Sequence, residues 1–126
     1  MTSERILVVE DNEKNMKLFR DVLVATGFRT LEATTAGEAI DMASEHTPDL
    51  VLMDIQLPDL DGVQALHRLR ANTLTATIPV LALTAQAMRG DRERFLAEGF
   101  DGYVSKPVDV RELIEIVRQH CEGRPG

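Results

Sequence analysis

Two short apolar runs of the sequence end in carboxylates. The run ILVV leads directly into Glu10 and Asp11, and the run LVLM leads directly into Asp54. An acid beside a buried strand is costly unless a cation or a hydrogen-bond donor compensates its charge. Three carboxylates held close together either raise the pKa of one of them or bind a cation. These residues therefore predict a cation site, provided that the fold brings them together.

A hydroxyl and an ammonium group follow two further apolar runs. Thr84 comes directly after IPVLAL, and Lys106 comes shortly after the dipeptide YV. The ammonium suits one oxygen of a phosphoryl group, while the Thr84 hydroxyl and the backbone N–H of Ala85 suit another. An aspartate carboxylate is a plausible covalent acceptor of phosphoryl groups. Together these residues predict phosphoryl transfer to Asp54.

Magnesium is the cation that this set of groups favours. Carboxylates, a backbone carbonyl and water are the ligands of hard divalent ions. The loops that carry Glu10, Asp11 and Asp54 contain neither His nor Cys. A divalent ion there would neutralise charge as the phosphoryl group is transferred. We therefore predict Mg²⁺ as the cofactor.

The elements that must position these residues follow from an alternation of hydrophobic periods. Short apolar runs and amphipathic stretches alternate five times, which predicts five strand–helix pairs, the fourth helix lying around residues 87–98. Helix ends are marked by the capping patterns Thr35-x-x-Glu38 and Asp109-x-x-Glu112, and by Gly27 and Gly99. Central strands that are apolar without alternation are buried on both faces, which predicts a parallel sheet between helices.

The same fold class predicts where the site lies. In an open α/β sheet, ligands bind outside the carboxyl ends of the strands, where the strand order reverses. Glu10, Asp11, Asp54, Thr84 and Lys106 all lie at predicted strand ends. We therefore expect the five residues to converge on one edge of the sheet.

Length, charge and cysteine content restrict the class of protein. The 126 residues fit one domain, expected over 1–126 with an ordered core of about 4–121 and a short flexible C-terminal tail. The net charge of −7 argues against direct binding to nucleic acid, and no apolar stretch is long enough for membrane insertion. A single cysteine, Cys121, excludes an internal disulfide, and its position on an apolar helix face predicts a buried thiol. We predict a cytoplasmic protein.

Each candidate residue also has a structural interpretation. Asp54 alone could be a strand-end residue that caps the next turn, and only its combination with the other strand-end residues favours a functional role. Asn12 either forms a hydrogen bond in the pocket or shapes the loop into the first helix, and the second interpretation is favoured. His46, His67 and His120 are interpreted as solvated helix residues.

Four segments resemble the receiver domain of two-component response regulators: VVEDN, MDIQLPDLDG, LALTA and YVSKP occur in that order. The resemblance covers about residues 4–121 and is greatest to the stand-alone, single-domain regulators of the DivK type. It implies a flavodoxin-like (βα)5 three-layer sandwich with the parallel sheet order 2-1-3-4-5. The first acid is Glu where the family usually has Asp, an arrangement the family tolerates.

The resemblance also implies a role for each site residue. Asp54 is the phosphorylation site, and the metal ligands are Glu10, Asp11, Asp54 and the Gln56 backbone carbonyl. Lys106 and Thr84 contact the phosphoryl group, and Thr84 and Tyr103 form the switch pair. The Lys106–Pro107 peptide bond resembles one that is usually cis.

The expected function is that of a signalling protein without dedicated enzymatic activity. A histidine kinase or phosphotransfer protein would donate the phosphoryl group, and a face made by helix 4, strand 5 and helix 5 would bind a downstream protein target. The oligomeric state, monomer or weak dimer, is left open. The main alternative is a phosphorylation-independent interaction module, a degenerate receiver.

Two other chemistries fit the sequence less well. A phosphatase with an aspartate nucleophile would have a second carboxylate two residues after Asp54, where this chain has Gln56. A flavin carrier would have a phosphate loop rich in Ser, Thr and Gly after the first strand, which this chain lacks.

Overall fold

The computed structural model describes residues 4–85 and 90–122. Strands and helices alternate through them in the order β1 (Arg5–Val9), α1 (Glu13–Thr26), β2 (Arg29–Ala33), α2 (Ala36–His46), β3 (Leu50–Asp54), α3 (Gly62–Ala71), β4 (Val80–Thr84), α4 (Asp91–Glu98), β5 (Gly102–Ser105) and α5 (Val110–Glu122). The first residues of the helix predicted around 87–98, and residues 123–126 of the predicted tail, lie outside the described residues.

All five strands form one parallel sheet in the order β2-β1-β3-β4-β5. The predicted flavodoxin-like (βα)5 order is thus confirmed. The strand order reverses at β1, which lies between β2 and β3. Ligands of open α/β sheets bind at such a reversal, beyond the carboxyl ends of the strands.

The sheet separates two hydrophobic clusters. Side chains of a strand point alternately to opposite faces, so Leu7 and Val9 join one cluster while Ile6 and Val8 join the other. The first cluster packs against α2, α3 and α4, and the second packs against α1 and α5. Burial on both faces explains why β1, β3 and β4 read as continuous apolar runs.

The predicted helix signals are present in the structure. The Thr35 hydroxyl accepts a hydrogen bond from Glu38 N at 3.1 Å, and the Glu38 carboxylate accepts one from Thr34 N at 3.1 Å. Gly27 and Gly99 end α1 and α4 with φ angles of 106° and 114°. The Thr35–Glu38 cap marks where α2 begins at the carboxyl edge of the sheet, and the two glycines mark where α1 and α4 end at its amino edge.

Over the described residues, no helix combines the length and the apolar composition needed to cross a membrane.

Candidate functional site

The predicted site residues lie together at the carboxyl edge of the sheet. Asp54 and Thr84 are the last residues of β3 and β4, Glu10 directly follows β1, and Lys106 directly follows β5. Because β1, β3, β4 and β5 are neighbours in a parallel sheet, their carboxyl ends share one edge. Glu10, Asp54 and Thr84 are almost fully buried there, with exposures of 1%, 5% and 2%.

Lys106 lies between two of the acids. Its Nζ atom is 2.6 Å from Glu10 Oε1 and 2.8 Å from Asp54 Oδ2. The Lys106 side chain is itself only 17% exposed. A single ammonium group therefore contacts two buried carboxylates, which belong to segments far apart in sequence.

The second oxygen of each buried carboxylate accepts a hydrogen bond from its own loop. Asn12 N donates to Glu10 Oε2 at 3.1 Å, and Gln56 N donates to Asp54 Oδ1 at 2.8 Å. In both cases the donor lies two residues after the acid, so a tight turn holds the carboxylate. Gln56 is thus placed next to Asp54, although its side chain is exposed.

Asn12 is also the N-cap of α1. Its side chain accepts a hydrogen bond from Asn15 N at 3.0 Å. Of the two predicted interpretations, the structure supports the one in which Asn12 shapes the loop into the first helix.

Asp11 completes a group of acids that could hold a metal ion. Ligand atoms of Glu10, Asp11 and Asp54 lie within 4.8 Å of one another, with Asp11 exposed and the other two buried. When all three acids are ionised, the Lys106 ammonium balances only one of their charges. The remaining two negative charges and the all-oxygen donor set fit a hard divalent cation such as Mg²⁺.

Burial and ion pairing shift the pKa values of two of these groups. Burial raises the pKa of Glu10, and the hydrogen bond with Lys106 only partly offsets this effect. Burial by itself would lower the pKa of Lys106, but its hydrogen bonds to Asp54 and Glu10 outweigh burial and raise that pKa. Lys106 is therefore a permanent positive charge at neutral pH.

Strand pairing and a backbone hydrogen bond join the end of β4 to the start of the β5–α5 loop. Thr84 pairs with Ser105 in the sheet, and Lys106 N donates to Thr84 O at 2.7 Å. The Lys106–Pro107 bond is cis, as the sequence resemblance implies. These contacts fix the Lys106 backbone beside Thr84.

Tyr103 lies on β5, three residues before Lys106. Its ring is partly buried and packs against Phe95 of α4, with ring centroids 5.9 Å apart. Tyr103 therefore joins β5 to α4, at the face predicted to bind a partner.

The whole arrangement can be compared with known proteins. The chain matches the response regulator receiver domain family over residues 6–118. The chain belongs to this family. Receiver domains are signalling modules that are phosphorylated on an aspartate, bind Mg²⁺ at an acidic site and act on protein partners.

This receiver has close relatives of nearly the same length. It is 45% identical over 118 residues to the polar-differentiation response regulator DivK of Brucella ovis. The aligned region covers 94% of this chain and 96% of that relative. The predicted resemblance to DivK-type regulators is thereby confirmed.

Solved structures of other receivers share the fold. The receiver domain of a sensor histidine kinase from Pseudomonas aeruginosa has a TM-score of 0.88 and 34% identity, and the match covers 97% of this chain and 100% of that one. That structure holds a magnesium ion in its active-site cleft. A Chloroflexus aurantiacus protein described as a response regulator has a TM-score of 0.90 and 28% identity, with coverages of 96% and 99%.

Sequence reasoning missed two residues that organise this receiver. Asp59 accepts hydrogen bonds from the first turn of α2, and Arg70 joins the end of α3 to two loops. In sequence, Asp59 is one of several turn-forming residues in the stretch LPDLDG, and Arg70 is one of two arginines near the end of α3. No local pattern distinguishes them, because their partners come from other segments.

Proposed function

We propose that this chain is a stand-alone receiver, one domain over residues 1–126, that takes a phosphoryl group from a histidine kinase or phosphotransfer protein onto Asp54. The observation that carries the proposal is the position of the Asp54 carboxylate, which is buried between the Lys106 ammonium and the Gln56 amide and adjoins Glu10 and Asp11. Its place of action is the cytoplasm.

Asp54 is the nucleophile in this proposal. One of its carboxylate oxygens forms a bond to phosphorus while the bond between phosphorus and the donor's histidine nitrogen breaks, and the histidine leaves with that electron pair. Lys106, already 2.8 Å from Asp54 Oδ2, then pairs with a phosphoryl oxygen. The Thr84 hydroxyl, at the end of the neighbouring strand, contacts another oxygen.

The metal ion would be held by Glu10, Asp11, Asp54 and the Gln56 carbonyl. Bound Mg²⁺ would neutralise the negative charge that develops on the phosphoryl oxygens during transfer. The acids of this chain supply the two uncompensated negative charges that such an ion requires, and their turns hold them in place before it binds.

The proposal is tested by the intact mass of the protein after incubation with acetyl phosphate and Mg²⁺. We expect wild type to gain one phosphoryl mass and Asp54→Asn to gain none. A matched control is Asp49→Asn, which changes an aspartate at the opposite edge of the sheet and should be labelled like wild type. Equal labelling of wild type and Asp54→Asn would place the acceptor elsewhere, and no labelling of wild type would favour a phosphorylation-independent module.

The output face is proposed to be formed by α4, β5 and α5. A cavity of about 310 Å³ lies there between Leu96, Tyr103 and Ile116. The phosphoryl group would draw the Thr84 hydroxyl toward it, and Tyr103 would fill the space that is vacated. The changed face would then bind a downstream protein target.

Beryllofluoride, a phosphoryl mimic, tests this switch. We expect the side-chain NMR signals of Thr84 and Tyr103 to shift on its addition with Mg²⁺, and Thr84→Ala to suppress the shift at Tyr103. If both residues keep their free-state signals in a saturated complex, the switch is wrong even if Asp54 is phosphorylated. The same samples report whether the protein is a monomer or a weak dimer, through their rotational correlation time.

A further inference from the structure

We propose that Asp59 is a positioning residue for the metal site, because it fastens the β3–α3 loop (residues 55–61) to the start of α2 and so keeps the Gln56 backbone beside Asp54. This inference rests on the proposed function, in which the Gln56 carbonyl is a metal ligand.

The Asp59 carboxylate uses both of its oxygens in this link. Oδ1 accepts a hydrogen bond from Ala36 N at 2.9 Å, and Oδ2 accepts one from Gly37 N at 2.9 Å. Both amides belong to the first turn of α2, where the helix dipole favours a negative charge. The hydrogen bonds from Gly37 and Ala36 lower the pKa of Asp59, so the carboxylate is ionised at neutral pH.

The start of α2 has a local cap without Asp59. The Thr35 hydroxyl accepts from Glu38 N, and the Glu38 carboxylate accepts in return from Thr34 N. This capping box is sufficient to begin many helices. The bonds that Asp59 accepts from α2, whose residue Ala36 lies 23 positions earlier, therefore fix the position of the loop that carries Asp59.

The base of the loop is closed independently. Ile55 N donates to Leu83 O at 3.1 Å, and Gly62 N donates to Ile55 O at 3.0 Å. Gly62 approaches so closely that a Cβ atom there would lie 2.6 Å from Ile55 Cα. Gln56 therefore lies in the loop between this closed base and the Asp59 link.

The link also reaches the loop that carries the other acids. Glu10 N donates to Ala33 O at 3.0 Å, and Ala33 is three residues before Ala36. Asp59 therefore connects the Gln56 segment, through the start of α2, to the strand end that holds Glu10. Ligands from β1 and β3 are thus held in one fixed arrangement, and a Mg²⁺ site requires such near-ideal geometry.

The test is a Mg²⁺ titration without any phosphodonor, followed by the backbone amide resonances of Asp54 and Gln56. We expect Asp59→Ala to weaken Mg²⁺ binding about tenfold, at the lower end of the roughly 10- to 100-fold effects of removing outer-shell partners of metal ligands. Asp59→Asn should have a smaller effect, because its amide oxygen can still accept one of the two N–H groups.

Thr35→Ala is the matched control. It removes another bond at the same helix start, the one that Glu38 N donates to Thr35 Oγ1, and leaves the loop link in place. We expect it to lower the free energy of unfolding and to leave Mg²⁺ affinity unchanged. Urea unfolding of all three variants shows how much stability each has lost.

Two results would overturn the inference. One is unchanged Mg²⁺ affinity in Asp59→Ala and Asp59→Asn, and the other is equal weakening in Thr35→Ala, which would assign the effect to fraying of α2. If wild type itself shows no Mg²⁺-dependent shift at Asp54 and Gln56, the proposed metal site is wrong, and the failure lies with the proposed function.

Discussion

At the scale of single residues, Lys106 partly compensates the charge of two buried acids. Its ammonium contacts Glu10 and Asp54, both almost fully buried, at 2.6 and 2.8 Å. Removing one partner of a buried ion pair is strongly destabilising, since the charge left behind stays desolvated. Lys106 is therefore expected to support the fold as well as the proposed chemistry.

Lys106→Met tests this expectation. In a chelating buffer at pH 7, the free energy of unfolding should fall by about 3 kcal/mol, as measured by urea denaturation. The double variant Glu10→Gln/Lys106→Met should recover part of the loss, because one of the two uncompensated charges is then removed.

Lys17→Met is the control for loss of a lysine from an ion pair. Lys17 contacts Asp21 at 2.6 Å, but both side chains are more than half exposed. Exposed pairs contribute less than about 1 kcal/mol. If Lys17→Met and Lys106→Met lose the same stability, burial is not what makes the Lys106 pair important.

At the scale of elements, Arg70 holds the amino edge of the sheet in the way that Asp59 holds the carboxyl edge. Its guanidinium donates to Ala76 O and Ile78 O at 3.1 and 2.6 Å, and to Gly99 O and Asp101 Oδ2 at 3.2 and 2.9 Å. One side chain on α3 thus fixes the loops before β4 and β5. The C-terminal end of α4 is anchored by the same contacts.

Arg70→Met should lower the free energy of unfolding by about 2 kcal/mol, since hydrogen bonds to charged groups are among the strongest. Arg68→Met changes an exposed arginine of the same helix and should stay within about 0.5 kcal/mol of wild type. Urea denaturation measures both. Similar losses in the two variants would contradict the anchoring role of Arg70.

Asp59 makes the link between α2 and the β3–α3 loop dependent on pH. Its pKa in the folded chain lies below the usual value of 3.8. A depressed carboxyl pKa contributes stability that is present above the unfolded pKa and is lost as the pH falls through the folded pKa. The difference in unfolding free energy between wild type and Asp59→Asn should therefore be constant at pH 5 to 7 and shrink below about pH 4.

Urea denaturation of the two proteins across this pH range measures the difference. A difference that stays the same down to pH 3 would mean that the ionised carboxylate is not what stabilises the link.

At the scale of the whole molecule, the sheet divides the core into two clusters. Ile6 belongs to the cluster under α1 and α5, and Ile78 belongs to the cluster under α2, α3 and α4. Neither residue is a member of the other's cluster. Substitutions at the two positions should therefore act independently.

Ile6→Val and Ile78→Val should each cost about 0.5–1.5 kcal/mol, and the double variant should equal their sum within about 0.5 kcal/mol. Urea denaturation of the three variants checks this, with a single transition expected in each. A larger departure from additivity would show that the sheet couples the two clusters.

Much of this organisation is determined by the sequence alone. The strands and helices follow from local periodicity, and Thr35 with Glu38 and Gly27 with Gly99 mark helix ends through bonds within a few residues. The strand-end rule then assigns Glu10, Asp54, Thr84 and Lys106 to one edge, because parallel strands align their carboxyl ends.

The tertiary structure decided which of these residues touch. Three contacts could not be predicted from the sequence. Lys106 contacts both Glu10 and Asp54, Asp59 accepts hydrogen bonds from the first turn of α2, and Arg70 joins three segments. Such contacts depend on how side chains from distant segments meet in space. Local periodicity carries no information about such contacts. The sequence therefore determined the strands, the helices and the edge of the sheet at which the site lies, whereas tertiary packing determined which side chains form hydrogen bonds and ion pairs.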